Sequence, residues 1–119
     1  TVFQMISTVV GTLKTDKTWI DIIRDAYPMG SMTGAPKVRS MQLIEHYEQN
    51  QRGLYSGSVG YITPARDFDF NVVIRSVLYN SEKDYLSFQV GGAIVYDSHP
   101  DGEYEECLLK SMTMQQALK

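Results

Sequence analysis

Close to the C-terminal end, the run DGEYEECLLK sets Glu103 and Glu106 three residues apart and Lys110 four residues beyond. On a helix those spacings raise all three side chains from one face. Two carboxylates so placed can share a hard divalent cation, and Mg²⁺ commonly takes one or two carboxylates together with waters and an anionic substrate. Lys110, a turn further on, would then meet the anion that the metal attracts. Glu105 points elsewhere and is read as a solvated charge. Acids in a first helical turn are also ordinary, since the free amide groups and the helix dipole favour negative charge by roughly 0.3–1 kcal/mol each. Both readings of this stretch stay open at this point.

Three further stretches carry polar chemistry. GSMTGAPK, residues 30–37, combines two glycines, small hydroxyls and a helix-opening Pro36, so exposed amides at a helix start can cradle an anion. It lacks the glycine-lysine-serine order of a P-loop, and a plain turn with Thr33 or Gly34 as cap is the competing explanation. Gln89-Val90-Gly91-Gly92-Ala93 puts small residues at a strand end, where a ligand can approach free amides closely; a bulge that bends the sheet is the alternative. Arg75 closes the run Asn71–Arg75 with a fork-shaped donor suited to a carboxylate, or to an ordinary salt bridge.

These side chains need elements to hold them. With 119 residues, of which 43% are hydrophobic, the chain has the content of one globular domain. A net charge of −3 gives no basic field, which argues against nucleic acid and anionic lipid as partners. No apolar run approaches the roughly 20 residues that span a bilayer, and no charged-then-apolar leader stands at the start. The single cysteine, Cys107, fits a reducing cytoplasm and reads as a small apolar helix residue. Val2–Val10 is β-prone from the outset without an initiator Met, so an excised piece of a longer chain is expected.

Periodicity predicts a helix over 16–26 with Trp19, Ile20, Ile22 and Ile23 as its stripe. A second follows from Pro36 to 46–49 with Val38, Met41, Ile44 and Tyr47 on one face, and a terminal one runs from Pro100 to about Leu118 on Tyr104, Leu108 and Met112. Between them lie β-prone runs at 54–62, 68–79 and 85–91, with a turn at 80–83, and 94–96 either continues the last run or forms a short strand of its own. The expected class is α+β, an antiparallel glycine-rich sheet packed against helices. Such a set of strands does not cover both sheet faces, which again points to further chain.

In their order, STV near the start, GSMTGAPKVRSM, RGLYSGSVGYI, DFNVVIR, QVGGAIVYDS and EYEECLLK resemble the C-terminal part of the chorismate-binding enzymes. The likeness runs from about Val2 to Lys110 and implies that residues 1–119 are the C-terminal portion of a chorismate-binding catalytic domain. GS-x-TGAPK most resembles the aminodeoxychorismate synthase component I branch. That branch aminates chorismate at C4, with ammonia from a glutamine amidotransferase component, toward p-aminobenzoate and folate. The anthranilate synthase component I branch is the runner-up, and a non-catalytic anion-binding or interaction module is the reading from a different class.

The resemblance also implies roles. Glu103 and Glu106 match carboxylates at an Mg²⁺ site, Glu103 and Lys110 stand among the catalytic positions, and Lys110 matches a lysine on a substrate carboxylate. Tyr55 and Arg75 match groups holding the enolpyruvyl carboxylate, beside the backbone amides of Gly91 and Ala93. Ser31 matches a hydroxyl lining the ring pocket. Gln4 stands where the family often has His, keeping hydrogen bonding but not titration. Ala93 replaces a frequent glycine and narrows the space there. Further family groups fall earlier in the chain than these residues, so this piece alone is expected to turn over negligibly.

Overall fold

The structure, a computed structural model, describes residues 5–119. Its first helix, α1 (Trp19–Ala26), starts where Thr18 and Asp21 cap it reciprocally: the Asp21 amide donates to the Thr18 hydroxyl and the Asp21 carboxylate accepts from the Thr18 amide. That hydroxyl contact holds the Asp21 carboxyl below its usual range. Trp19, Ile22 and Ile23 are half-buried as the stripe predicts, whereas Ile20 is exposed. A single turn, α2 (Gly30–Thr33), precedes α3 (Lys37–Tyr47). Neither Thr33 nor Gly34 caps α3. Pro36 takes the cap position, and the Thr33 hydroxyl donates instead to the Met29 carbonyl within α2, at 3.1 Å.

The strands form two antiparallel ribbons. β1 (Ser58–Ile62) pairs with β2 (Phe68–Val72) in the register Ser58 to Val72 and Ile62 to Phe68. β3 (Leu78–Asn80) pairs with β4 (Tyr85–Ser87), across a turn in which the Asn80 side chain accepts from the amides of Glu82 and Lys83. The α+β class with antiparallel pairing is as expected, but the predicted long strand 68–79 is broken. Residues 73–77 lie outside both ribbons, and Arg75 sits there at φ 50°. Alternation along a strand cannot reveal one residue in the left-handed region. The strand expected over 85–91 stops at Ser87, and 94–96 forms none, because no partner edge reaches them among the described residues. Met5–Val10, for the same reason, is exposed and irregular; the rest of that expected strand lies outside the described residues.

The last helix, α4 (Pro100–Ala117), carries Pro100 in its first turn, where a missing N–H costs nothing. Its inward face is a correction to the apolar stripe. Glu103, Cys107, Lys110, Ser111 and Met114 are the half-buried or buried positions, while Tyr104, Leu108 and Met112 are exposed. The buried core among the described residues is small, Val73 and Met114 at 8% exposure each. The chain exposes 10,817 Å², against roughly 6,500 Å² for a compact domain of its mass. Its radius of gyration is 17.1 Å, where close packing gives about 13.5 Å. Among the described residues no helix is long and apolar enough to cross a membrane.

Candidate functional site

The turn that presents Tyr55 is fixed from below. The Ser56 amide donates to the Val73 carbonyl at 3.0 Å and the Val73 amide to the Gly57 carbonyl at 2.9 Å, so this turn extends the β1–β2 ladder beside the buried Val73. Two residues on, Arg75 takes its left-handed backbone. For a side chain with a Cβ that conformation costs on the order of 1–2 kcal/mol, a cost that proteins concentrate at functional positions. Arg75 makes no ion pair among the described residues, which leaves the salt-bridge alternative without support.

After β4 the chain runs as irregular backbone through Gly91-Gly92-Ala93, and no backbone hydrogen bond claims those three amides among the described residues. Gly91 lies against Tyr55: a Cβ there would stand 2.7 Å from the phenol oxygen. On the opposite side α4 closes in. Lys110 donates to the Gly91 carbonyl at 3.0 Å and pairs with Glu106 Oε1 at 2.9 Å. Gly92 faces the carboxylates, so that a Cβ there would come within 3.0 Å of Glu103 Oε2 and 3.4 Å of Glu106 Oε2.

Each carboxylate therefore has one oxygen engaged and one turned to the same spot. Ser98 Oγ donates to Glu103 Oε1, while Glu103 Oε2 is buried without a partner. An orphaned acceptor beside a second carboxylate oxygen is costly unless a cation serves both. This donor set fits Mg²⁺, which accepts two carboxylates and takes its remaining ligands from water or substrate. No group of three His, Cys, Asp or Glu gathers among the described residues.

Ser31, Tyr55, Arg75, Gly91, Ala93 and Lys110 line one cleft of about 860 Å³, with Glu103 and Glu106 behind Gly92 at its edge. Six positions singled out from the sequence thus converge, although they are spread over 80 residues of chain. Gln4 lies outside the described residues. Lys37 does not line this cleft; its Nζ donates to the Ala26 carbonyl at the end of α1, at 3.2 Å.

Sequence reasoning overlooked Arg52 and Glu48. They grip each other bidentately on the cleft wall, and that contact holds the Glu48 carboxyl below its usual range and raises Arg52 further. Their four-residue spacing was a usable signal, hidden because α3 ends at Tyr47, so that Glu48 is its C-cap and Arg52 lies beyond the helix. Nothing local marked Ser98 as the partner of Glu103.

The family model described as chorismate binding enzyme matches residues 1–116. A probable chloroplastic aminodeoxychorismate synthase of Oryza sativa subsp. japonica is 50% identical over 112 residues, 93% of this chain and 12% of that protein. Aminodeoxychorismate synthase component 1 of Bacillus subtilis is 41% identical over 118 residues, 99% of this chain and 25% of that one. Anthranilate synthase component 1 of Spirochaeta aurantia is 45% identical over 105 residues, 88% of this chain and 21% of that one. The chain thus spans between 12% and 25% of the length of these relatives.

Proposed function

The chain belongs to the family of chorismate-binding enzymes, and from that premise we propose that residues 1–119 are the C-terminal portion of the catalytic domain of an aminodeoxychorismate synthase component I. In this reading the whole protein replaces the C4 hydroxyl of chorismate by an amino group, releasing water. Ammonia is supplied by a glutamine amidotransferase partner, and the product leads to p-aminobenzoate and folate. A cytoplasmic setting belongs to the same proposal, and the free thiol of Cys107 is compatible with it.

The observation that carries the reading is the meeting of Tyr55, Arg75, Gly91 and Lys110 around one cleft with two carboxylates at its edge. Chorismate is a dianion, so its recognition calls for cationic and N–H donors in fixed directions. Arg75, the Tyr55 hydroxyl and the amides of Gly91 and Ala93 would hold the enolpyruvyl carboxylate, and Lys110 would contact the ring carboxylate. Ser31 would line the ring pocket. Glu103 and Glu106 would hold Mg²⁺, which when bound supplies positive charge against the ring carboxylate and the departing hydroxyl. The side chains of this chain do the binding and orienting, and the Lys110–Glu106 pair keeps the ammonium beside that edge.

Converting chorismate with ammonium and Mg²⁺ in the full-length protein and identifying the product tests the reading. Amination at C4 supports it. Amination at C2 supports the anthranilate synthase reading, which the 45% identity to the Spirochaeta aurantia protein favours as the second. Binding of chorismate without turnover would identify a non-catalytic module. Residues 1–119 alone are expected to give negligible product, because in this reading further groups of the site belong to the rest of the catalytic domain.

A further inference from the structure

We propose that Arg52 is a positioning residue that sets the width of the cleft and, through Tyr55, the affinity for the substrate carboxylate; this rests on the reading of the cleft given above. Arg52 lies between α3 and the Tyr55 turn and contacts three separate segments. Its Nε donates to Glu48 Oε2 at 2.7 Å while Nη2 donates to Glu48 Oε1, which anchors it to the chain just after α3. Its Nη1 donates to the Met32 carbonyl of α2 at 3.1 Å and to Ser56 Oγ at 2.9 Å. The guanidinium carbon stands 6.0 Å from the centre of the Tyr55 ring.

One planar group therefore holds the GSMTGAPK segment, the end of α3 and the turn that carries Tyr55 at fixed separations. A guanidinium can do this because its N–H donors point in several coplanar directions; an ammonium is a point charge and cannot span the same set. Ser56 itself sits at φ 70°, a left-handed backbone that is strained for a residue with a Cβ, and the bond from Arg52 helps to hold it there. With its side chain 24% exposed, Arg52 is screened enough for these charge-assisted bonds to hold direction. On the far side, Gly91 leaves no room behind the phenol oxygen. Tyr55 is thus held between Arg52 and Gly91, and shifting Arg52 moves the hydroxyl without touching the substrate.

The test is a double-mutant cycle in the full-length protein, with steady-state kinetics in chorismate at saturating Mg²⁺ and ammonium, and with Tm recorded for each variant. Y55F is expected to raise KM about tenfold, and R52K to raise it by a similar factor with kcat within about twofold. Because the two act through one hydroxyl, R52K in the Y55F background is expected to add less than about twofold. A merely structural Arg52 would lower Tm and give effects that multiply in the double variant, and that outcome overturns the inference, as does an R52K enzyme with unchanged KM. An unchanged KM for Y55F sinks the cleft reading itself, and the inference with it. Should R52K fail to fold, E48Q serves in the same cycle: it loosens one of the three attachments, and its KM is expected to rise a few-fold with the same non-additivity.

Discussion

Gly60 in the β1–β2 ribbon and Gly92 beside α4 are both crowded, but by different things. A Cβ on Gly60 would lie 2.2 Å from the Asp69 carbonyl oxygen and 2.6 Å from Phe70 Cδ1, both on its own partner strand. A Cβ on Gly92 would meet the carboxylates of Glu103 and Glu106, brought there by a helix. The ribbon is closed locally: a short turn and backbone hydrogen bonds suffice, and Val59, Tyr61, Phe68 and Phe70 are left exposed. Around Gly91 and Gly92 the contacts come from distant stretches and are polar. The contacts around the cleft thus join distant stretches, while among the described residues many apolar side chains stay exposed. α4 shows the same contrast within one element, turning Glu103, Cys107 and Lys110 inward and leaving Tyr104, Leu108 and Met112 outside.

If the two α4 carboxylates beside Gly92 serve chemistry rather than the helix start, changing one should alter rate before stability. Glu106→Gln in the full-length protein is expected to lower kcat/KM by about 100-fold or more, with a weakened dependence on Mg²⁺ and a small change in Tm. A helix-start acid with no ligand would show the reverse: Mg²⁺ dependence intact and only a modest loss of stability. Arg75 sharpens the contrast further. Losing a charge-assisted bond to a bound carboxylate costs about 1.5–3 kcal/mol, so Arg75→Gly should raise KM for chorismate at least tenfold. Because glycine accepts φ 50° freely, the same variant should not lose stability. A fall in Tm with unchanged KM would place Arg75 with the ribbon rather than the cleft.

The two glycines give a smaller and more direct comparison. Gly60→Ala has to push strand backbone aside, and overpacking of that kind typically costs 1–3 kcal/mol. Its signature is a lower Tm with KM nearly unchanged. Gly92→Ala meets the ends of two side chains instead, which can give way by a few tenths of an ångström. There Tm should hold, while the apparent Mg²⁺ requirement rises a few-fold. Matching behaviour in both variants would erase the distinction between the regions.

Much of this was legible from residue order. The bounds of α3 and α4 follow from Pro36, Pro100 and helical period, and the three-then-four spacing of Glu103, Glu106 and Lys110 placed them on one face before any coordinates. Which face would turn inward was not legible. The apolar positions of α4 predict burial only if apolar chain lies opposite, and what lies opposite here is Gly91 and Gly92. The break at 73–77 was hidden for a different reason: a left-handed Arg75 is imposed by its surroundings, against its own preference. Arg52 escaped notice because no helix spans Glu48 and Arg52 and because the Met32 carbonyl it reaches lies twenty residues away, so its approach depends on the fold.

The smallest effect is a pH dependence in the wall of the cleft. The hydrogen bond from Arg52 holds the Glu48 carboxyl below the ordinary glutamate value, with burial opposing and the Arg52 charge adding to the shift. For a carboxylate with a depressed folded pKa, the stabilisation is complete above its unfolded value, near 4.5. It is lost as pH falls through that value and on through the folded one. Glu48 is 40% exposed, so solvent screening keeps the contribution modest. In the full-length protein the wild type should therefore lose slightly more Tm than E48Q between neutral pH and about pH 4. The curves should converge at the acid end, where both variants carry a neutral side chain at this position. Parallel curves would mean that the clamp contributes no pH-dependent stability, and that the cleft wall is held by the Met32 and Ser56 bonds of Arg52 alone.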